Sequence, residues 1–263
     1  MGHRSFRMVV AVTTTAVIDN QLNPGPAWPL LRRLLACNAH SSVQEALVEV
    51  VLLSGDGTRE RRAWDIARAT GLRMRRVGSG IRGRSWRDAR ALDVSLFLSG
   101  CEDEARMALA SGVPAAHVQP TVLPDGDDVS ELRVAFDFDG VLADDAAETL
   151  FQTSGLDAFH ESERAQAHLP LAAGPLARFG RDLARLRRQL LKRAQEGVCV
   201  GPPSGPRIRT ALVTSRGAPA HARVMTSLRT WGLEVDEAFF LAGQPKAPVL
   251  ALLSPHIFFD DQR

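Results

Sequence analysis

Short runs of apolar, β-branched residues alternate with amphipathic stretches along most of this 263-residue chain. The alternation is typical of a parallel sheet, because each parallel strand needs a crossover segment, usually a helix, before the next strand begins. We therefore predict an α/β fold with a Rossmann-like parallel sheet. The predicted strands are 8–13, 49–54, 94–98, 133–137, 209–214, 238–241 and 256–260, and the predicted helices are 29–38, 59–70, 102–111, 175–195 and 218–231.

A polar, turn-rich segment divides the chain into two halves. We predict an N-terminal non-catalytic α/β lobe over 1–120, a linker over 121–131 and a catalytic domain over 132–263. The halves resemble each other: VVAVTTTAVID aligns with VAFDFDGVLAD when Ala11 is set against Ala135, and later strands follow in the same order. Chance likeness between two α/β segments is the alternative. A true repeat sets Thr13, Thr15, Ser99 and Gly100 against Asp137, Asp139, Asp260 and Asp261.

Composition and motifs bear on the partners and the cellular location expected of the protein. The formal net charge is only +2, and there is no aromatic-basic stripe, Walker A loop or GxGxxG, so we expect no nucleic-acid partner. No apolar run approaches the roughly 18 residues that cross a membrane, and threonines interrupt the N-terminal run, which favours a strand over a secretory signal. Cys37, Cys101 and Cys199 form no metal or disulfide motif, which favours a cytoplasmic protein. A monomer and a homo-oligomer are both compatible with the sequence.

The first candidate catalytic residues lie at the end of the predicted strand 133–137. Asp137 and Asp139 come at its carboxyl end, where open α/β sheets bind ligands, and Gly140 permits a sharp exit. Residues i and i+2 of a strand point the same way, so both carboxylates are expected to face one site. Two adjacent carboxylates are costly unless they share a cation or a proton, and Mg²⁺, which prefers oxygen ligands, would meet that need. One aspartate can then attack phosphorus while the other protonates the leaving group.

Other strand ends supply matching groups. Thr214 and Ser215 follow an apolar strand and are predicted to hold phosphate oxygens, and Lys246 is predicted to neutralise both nucleophile and phosphate. Asp260 and Asp261 end the last strand and are predicted to complete the metal site with the first two aspartates. Each piece alone is commonplace on a protein surface, but their order at successive strand ends favours a phosphatase.

The series DFDGVL, LVTSR, a lysine and FFDD resembles the motifs of the haloacid dehalogenase-like phosphatases. Longer stretches, including SLRTWGLEVDEAFFLAGQPKAPVL and PHIFFDDQ, resemble the cytosolic 5′-nucleotidase I family and its bacterial relatives. The resemblance implies that Asp137 is the nucleophile, Asp139 the general acid and base, and Thr214 and Lys246 the phosphate holders, with Asp260 and Asp261 at the metal. Members of this family often read DGDAV where this chain has DFDGV, which leaves the nucleobase preference open.

A helical insertion over about 144–174 follows the catalytic strand and is predicted to form a small cap that covers the site. Phe159 is a candidate to contact the base or ribose, as are Phe151, His160 and His168. The alternative is that the phenylalanines pack inside the cap and the histidines lie on its surface. Arg216 is a candidate for an anion contact.

The sequence therefore predicts a Mg²⁺-dependent phosphohydrolase acting on nucleoside 5′-monophosphates. Three alternatives remain at this point: a phosphatase of another small monoester, such as a sugar phosphate or a specialised-metabolite intermediate; a non-catalytic nucleotide-binding regulator; and phosphotransfer to a nucleoside instead of water.

Overall fold

The computed structural model of the chain describes residues 6–39, 41, 45–53, 57–71, 73–77, 84–119, 126, 128–196 and 206–262. The chain forms two compact units. The first comprises Met1–Leu132 and Arg185–Arg207, and the second comprises Arg133–Ala184 and Ile208–Arg263. Most of the predicted linker, at 121–125 and 127, and Ser54 at the end of a predicted strand lie outside the described residues.

The first unit is built on a five-stranded sheet in the order β3-β2-β1-β4-β5, with every neighbouring pair parallel. The strands are β1 (Met8–Thr13), β2 (Val48–Leu53), β3 (Met74–Val77), β4 (Leu96–Ser99) and β5 (Ala115–His117). Central strands β1, β2 and β4 are nearly all buried, as expected for a parallel sheet that is covered on both faces.

The helices of the first unit are α1 (Thr14–Val17), α2 (Trp28–Ala36), α3 (Gly57–Ala69), α4 (Ser85–Ala91) and α5 (Glu102–Ala110). In α2, the leucines at 30, 31, 34 and 35 are all buried, so the apolar stripe that predicted this helix is the face it packs on the unit's core.

The second sheet has four strands in the order β8-β7-β6-β9. They are β6 (Glu131–Phe136), β7 (Arg207–Thr214), β8 (Glu237–Phe240) and β9 (Ile257–Phe259), and β6 with β9 and β7 with β8 run parallel. The helices that follow β6 are α6 (Ala146–Ala165), α7 (Ala177–Gln195), α8 (His221–Trp231) and α9 (Ala247–Leu253), and the residues of α7 from Arg185 onward belong to the first unit. Phe136, Phe179 and Phe259 stack together in the core, with ring centroids 5.3–5.9 Å apart.

The predicted α/β class with parallel sheets is confirmed, and all seven predicted strands and five predicted helices exist with ends shifted by a few residues. Two strands were not predicted. Strand β3 reads MRRV, whose two arginines break the apolar run, and β5 has only three residues. Helix α4, SWRDARA, is too polar and too short to show a clear period, and α9 begins at a proline-containing turn after Lys246.

The predicted insertion is helical. Helix α6 is interrupted at Gly155, whose φ of 81° and ψ of 179° are not helical, so it forms two helical segments. An antiparallel bridge between Ala143 and Ala173 closes the base of the insertion, and the Gly174 amide donates to the Leu142 carbonyl at 2.8 Å. The insertion therefore leaves and rejoins the second unit at neighbouring points.

Candidate active site

Strand β6 delivers Asp137 to the carboxyl edge of the second sheet. The Asp137 amide donates to the Phe259 carbonyl at 2.8 Å, which ties it to β9. Its Oδ1 accepts a hydrogen bond from the Phe138 amide at 2.6 Å, and the residue is only 4% exposed. Two backbone contacts thus fix the orientation of this carboxylate before any ligand binds.

Lys246 lies between two of the predicted site carboxylates. Its ammonium nitrogen is 2.5 Å from Asp137 Oδ2 and 3.0 Å from Asp260 Oδ1. The lysine comes from the loop before α9, and Asp260 directly follows β9, so separate segments of the chain converge on one point. The structure therefore brings together three residues that the sequence placed at successive strand ends.

Burial and neighbouring charges have opposite effects on the pKa values of Asp137 and Lys246. Burial raises the pKa of Asp137 to about 6, and this outweighs the opposite effects of the Lys246 hydrogen bond and charge and of the Phe138 amide. Burial lowers the pKa of Lys246, but hydrogen bonds and charges from Asp137 and Asp260 more than compensate, so the pKa of this lysine is raised above its usual value. The ammonium therefore stays charged beside a carboxylate that is costly to keep ionised.

Asp137, Asp260 and Asp261 can each offer one oxygen to a common point, because those atoms lie within 4.8 Å of one another. Carboxylate oxygens are the ligands that Mg²⁺ prefers, so the donor set fits a hard dication. Gly140 supports this arrangement. It has a φ of 69°, and a Cβ on it would lie 2.5 Å from Asp261 Oδ2. Only glycine lets the turn come this close to the third carboxylate.

Asp139 lies elsewhere. Strand β6 ends at Phe136, so Asp139 is in the following turn and not at the i+2 position of an extended strand, as the sequence argument assumed. Its two carboxylate oxygens accept hydrogen bonds from Arg216 Nε and Nη2, both at 2.7 Å. Among the described residues, the acidic cluster comprises the other three aspartates without Asp139. A metal-ligand role for the Asp139 side chain stays a prediction.

The predicted phosphate-binding pair ends β7, which lies next to β6 in the sheet. Thr214 is buried, and its hydroxyl oxygen accepts from the Arg216 amide at 3.2 Å, which leaves the hydroxyl proton available to an acceptor. Ser215 is exposed, and its carbonyl accepts from the Gly243 amide at 2.9 Å. Their role in binding phosphate stays a prediction.

Arg216 and Phe159, the two candidates for substrate contact, touch each other. The Arg216 guanidinium carbon lies 5.4 Å from the Phe159 ring centroid and 5.2 Å from the Phe138 ring centroid. Phe159 also packs against the rings of Phe151 and His160, at 6.1 and 5.7 Å. His168 lies in the turn after α6. A contact of any of these side chains with a substrate stays a prediction.

Sequence reasoning missed Glu163 and Arg223. Glu163 Oε2 accepts from Arg216 Nη1 at 2.5 Å, and its Oε1 accepts from Arg223 Nη1 at 2.9 Å. Glu163 is 1% exposed, although it stands among charged residues that read as a solvated helix face. No local pattern marks such a residue, because its burial depends on packing between α6 and α8.

Within the described residues, no helix is long and apolar enough to cross a membrane. A search of solved structures finds a short chain dehydrogenase from Mycobacterium smegmatis. It is 12% identical, covers 93% of this chain and 96% of its own, and has a TM-score of 0.26, which is too low to indicate a shared fold.

Comparison of sequences gives a clear relationship. Cytosolic 5′-nucleotidase 1B of Homo sapiens is 40% identical over 172 residues, which are 64% of this chain and 26% of that protein. The chain thus matches about a quarter of the length of this curated relative. The family model described as 5′-nucleotidase matches residues 12–263, which include every candidate site residue. The resemblance inferred from the motifs is confirmed, and the chain belongs to the 5′-nucleotidase family.

Proposed function

We propose that this chain is a phosphohydrolase that releases inorganic phosphate from nucleoside 5′-monophosphates through an aspartyl-phosphate on Asp137. The observation that carries the proposal is the buried Asp137 carboxylate held by the Phe138 amide and the Lys246 ammonium beside Asp260 and Asp261. Membership of the 5′-nucleotidase family and the likeness to a cytosolic 5′-nucleotidase support the substrate class.

In the first half of the reaction, a carboxylate oxygen of Asp137 attacks phosphorus as the bond from phosphorus to the 5′ oxygen breaks. Asp139 donates a proton to that oxygen, and the nucleoside leaves as an alcohol. The Phe138 amide and Lys246 hold the nucleophile in place, so little reorganisation is needed at the moment of attack.

In the second half, water attacks the phosphorus of the aspartyl-phosphate. Asp139, now ionised, takes the proton from that water, and the bond from phosphorus to the Asp137 oxygen breaks. Phosphate leaves and the Asp137 carboxylate is restored. One residue thus serves as acid and then as base, and Asp139 is separated from the nucleophile by a single residue.

Phosphate oxygens carry the charge of this reaction, and cationic or polar groups must meet them. We assign this task to the Thr214 hydroxyl, Ser215 and the Lys246 ammonium. Asp137, Asp260 and Asp261 would hold Mg²⁺, which when bound neutralises charge on the transferred phosphoryl group. We also propose that the N-terminal lobe is non-catalytic, that the insertion over about 144–174 caps the site, and that the protein works in the cytoplasm.

Phosphate release from a panel of nucleoside 5′-monophosphates and sugar phosphates tests the proposal. We expect release to be fastest with a mononucleotide, to require Mg²⁺ and to stop in EDTA. Asp137→Asn should abolish release, because an amide cannot form the aspartyl-phosphate, and Asp260→Ala should raise the Mg²⁺ concentration needed for half-maximal activity.

Each contrary result has a separate meaning. Preference for a sugar phosphate would replace the substrate class but keep the chemistry. Full activity in chelator would remove the metal, and turnover by Asp137→Asn close to wild type would reject the nucleophile. Binding of mononucleotides without any turnover would favour a regulatory protein. Appearance of a new mononucleotide when a nucleoside is added would indicate phosphotransfer.

A further inference from the structure

Arg216 is engaged inside the second unit. Nε and Nη2 of its guanidinium form a bidentate pair with Asp139, and Nη1 donates to Glu163 at 2.5 Å. The rings of Phe138 and Phe159 lie over the guanidinium, and the side chain is only 3% exposed. Three of its five N–H donors and both ring contacts are used within the protein, which favours a role that acts through Asp139 over direct contact with a ligand.

Glu163 is the second member of this arrangement. It comes from α6, inside the insertion, and both of its oxygens are taken, one by Arg216 and one by Arg223. A buried carboxylate is tolerated only when it is paired and hydrogen-bonded, and two guanidinium groups meet that need here. Glu163 therefore fixes where the Arg216 side chain can lie.

Helix α8 fixes Glu163 in turn. Arg223 donates from Nη1 to Glu163 and from Nε to the Leu169 carbonyl at 3.1 Å, and the Leu171 amide donates to Ser227 Oγ at 2.9 Å. The last part of the insertion is thus fastened to the helix that begins shortly after Arg216. A chain of contacts leads from the insertion through Glu163 and Arg216 to Asp139.

The backbone around Asp139 does not fix the position of its side chain. Its backbone is not helical, with φ of −69° and ψ of 140°, and the next residue is Gly140 at positive φ, so local structure does not hold the side chain. The bidentate pair with Arg216 is therefore the contact that orients the Asp139 carboxylate.

We propose that Arg216 and Glu163 are positioning residues that fix the orientation of the Asp139 carboxylate, the group that exchanges protons in the proposed reaction. The insertion then contributes to the chemistry through Glu163, besides covering the site. This inference rests on the proposed function, because it gives a role to residues that act through the acid of that reaction.

The leaving group provides a readout that a structural role would not move. A nucleoside 5′ oxygen is a poor leaving group and needs the proton, whereas the p-nitrophenolate of p-nitrophenyl phosphate departs without one. General acid catalysis contributes about 10²–10⁴-fold to a reaction that needs it. Misplacing Asp139 should therefore slow formation of the aspartyl-phosphate from the nucleotide much more than its formation from the nitrophenyl ester.

The variants are Arg216→Lys, which cannot make the bidentate pair, and Glu163→Gln, which keeps the shape of the side chain but loses its charge. The matched controls are Arg209→Lys and Glu237→Gln, since Arg209 and Glu237 form another 2.5 Å ion pair in the same unit. For both test variants we expect kcat/KM, which reports the steps up to departure of the leaving group, to fall about tenfold or more on a nucleoside 5′-monophosphate and less than about threefold on p-nitrophenyl phosphate. The controls should leave both rates unchanged.

A double-mutant cycle tests whether Arg216 acts on the reaction through Asp139. In an Asp139→Asn background, Arg216→Lys should have almost no further effect on nucleotide hydrolysis, because its effect passes through Asp139. Equal losses of kcat/KM on the two esters, an unchanged kcat/KM in Glu163→Gln, or a full additional loss in the Asp139→Asn background would overturn the inference while the proposed function stands. No phosphate release from either ester by the wild-type protein would overturn both.

Discussion

Asp137 combines burial with charge, and that combination is a cost to the folded protein. Burial raises the pKa of this carboxyl to about 6, whereas an unfolded aspartate titrates near 3.8. The folded state therefore holds the proton more tightly than the unfolded state. The stability that this tighter proton binding gives the folded protein is fully present below the unfolded pKa, and it is lost as pH rises through about 6.

Asp137→Asn should therefore stabilise the metal-free protein at pH 8, where the wild-type carboxyl is ionised. A pKa difference of this size corresponds to about 3 kcal/mol at most. The advantage of the variant should shrink by on the order of 1 kcal/mol at pH 5, because the wild type then takes up its proton. Urea unfolding in EDTA at both pH values measures this, with Asp103→Asn, a change at an 83% exposed side chain, as control. The same stability difference at both pH values would contradict the prediction.

Gly140 offers a second prediction, because it combines two constraints. Gly140→Ala places a Cβ at positive φ and against the Asp261 carboxylate. The backbone strain should cost about 1–2 kcal/mol of unfolding free energy, and the displaced carboxylate should raise the Mg²⁺ concentration needed for half-maximal activity.

Gly232→Ala is the matched control for this change. Gly232 has nearly the same φ, 67°, and nothing lies within 4 Å of an added Cβ. The control should lose similar stability and keep its Mg²⁺ requirement. If both variants require the same Mg²⁺ concentration as the wild type, Asp261 has no part in metal binding.

At the residue scale, the sequence predicted the convergence of Asp137, Lys246 and Asp260, because groups at the carboxyl ends of parallel strands share one edge of the sheet. It could not predict the pairing of Arg216 with Glu163. These residues are 53 positions apart, and only the packing of α6 against α8 makes the glutamate buried.

At the scale of elements, the insertion is a helical segment with one interruption, and it is joined to the rest of the second unit at particular points. Gly155 interrupts α6, and the exposed apolar side chains of this region include Phe151, Leu156 and Leu169. Its fixed points are the bridge at Ala143 and Ala173 and the bonds to α8. The sequence indicated helical content here, but a weak helical period cannot locate these fixed points.

Ser227 is one of those fixed points. It is fully buried, its hydroxyl donates to the Arg223 carbonyl at 2.8 Å, and it accepts the Leu171 amide. Ser227→Ala leaves the Leu171 amide without this acceptor, which should cost about 1–3 kcal/mol and loosen the end of the insertion. Hydrogen exchange over residues 166–173 should accelerate.

Thr230→Ala is the control for Ser227→Ala, because the Thr230 hydroxyl donates only to the Thr226 carbonyl of its own helix, at 2.9 Å, and the residue is exposed. Its exchange pattern over 166–173 should match the wild type. Unchanged exchange in Ser227→Ala would mean that other contacts hold this end of the insertion.

At the scale of the whole molecule, the two sheets have the same strand order. The order β3-β2-β1-β4 in the first unit matches β8-β7-β6-β9 in the second, when strands are paired by the predicted repeat. The repeat therefore passes the test of strand order. Strand β5, at the edge of the first sheet, has no counterpart among the described strands of the second.

The corner after the first strand of each unit agrees in detail. The Gly25 amide donates to the Val17 carbonyl at 2.6 Å, and the Gly174 amide donates to the Leu142 carbonyl at 2.8 Å. A proline follows each glycine. A helix begins three residues after each glycine, α2 in one unit and α7 in the other.

The corners differ in length. The turn after Asp137 is one residue longer than the turn after Thr13. The segment that follows the turn is the insertion in the second unit and residues 19–24 in the first unit. The alignment of the two sequences predicted the shared order of elements. It could not predict the extra residue of the turn, because that depends on Gly140 adopting positive φ beside Asp261.

Three of the positions that match the four proposed site aspartates, Thr13, Thr15 and Ser99, form a hydroxyl cluster in the first unit. Thr13 Oγ1 lies 2.9 Å from Thr15 Oγ1 and 3.4 Å from Ser99 Oγ, and it accepts the Gly100 amide at 3.3 Å. Hydroxyls are neutral and are poorer Mg²⁺ ligands than carboxylates, so this cluster suits packing and hydrogen bonding, not phosphoryl transfer.

Thr13→Val tests whether the first unit is non-catalytic. Valine keeps the shape of the side chain at this buried position but removes the acceptor of the Gly100 amide, which should cost about 1 kcal/mol of unfolding free energy. Because the proposed chemistry lies in the second unit, kcat, KM and the Mg²⁺ requirement should equal those of the wild type, whereas Asp137→Asn should have no measurable turnover. Steady-state kinetics on folded protein, with urea unfolding in parallel, measures both. A kcat that falls about tenfold or more in fully folded Thr13→Val would contradict the proposal that the first unit is non-catalytic, since a tenfold loss corresponds to about 1.4 kcal/mol of transition-state stabilisation.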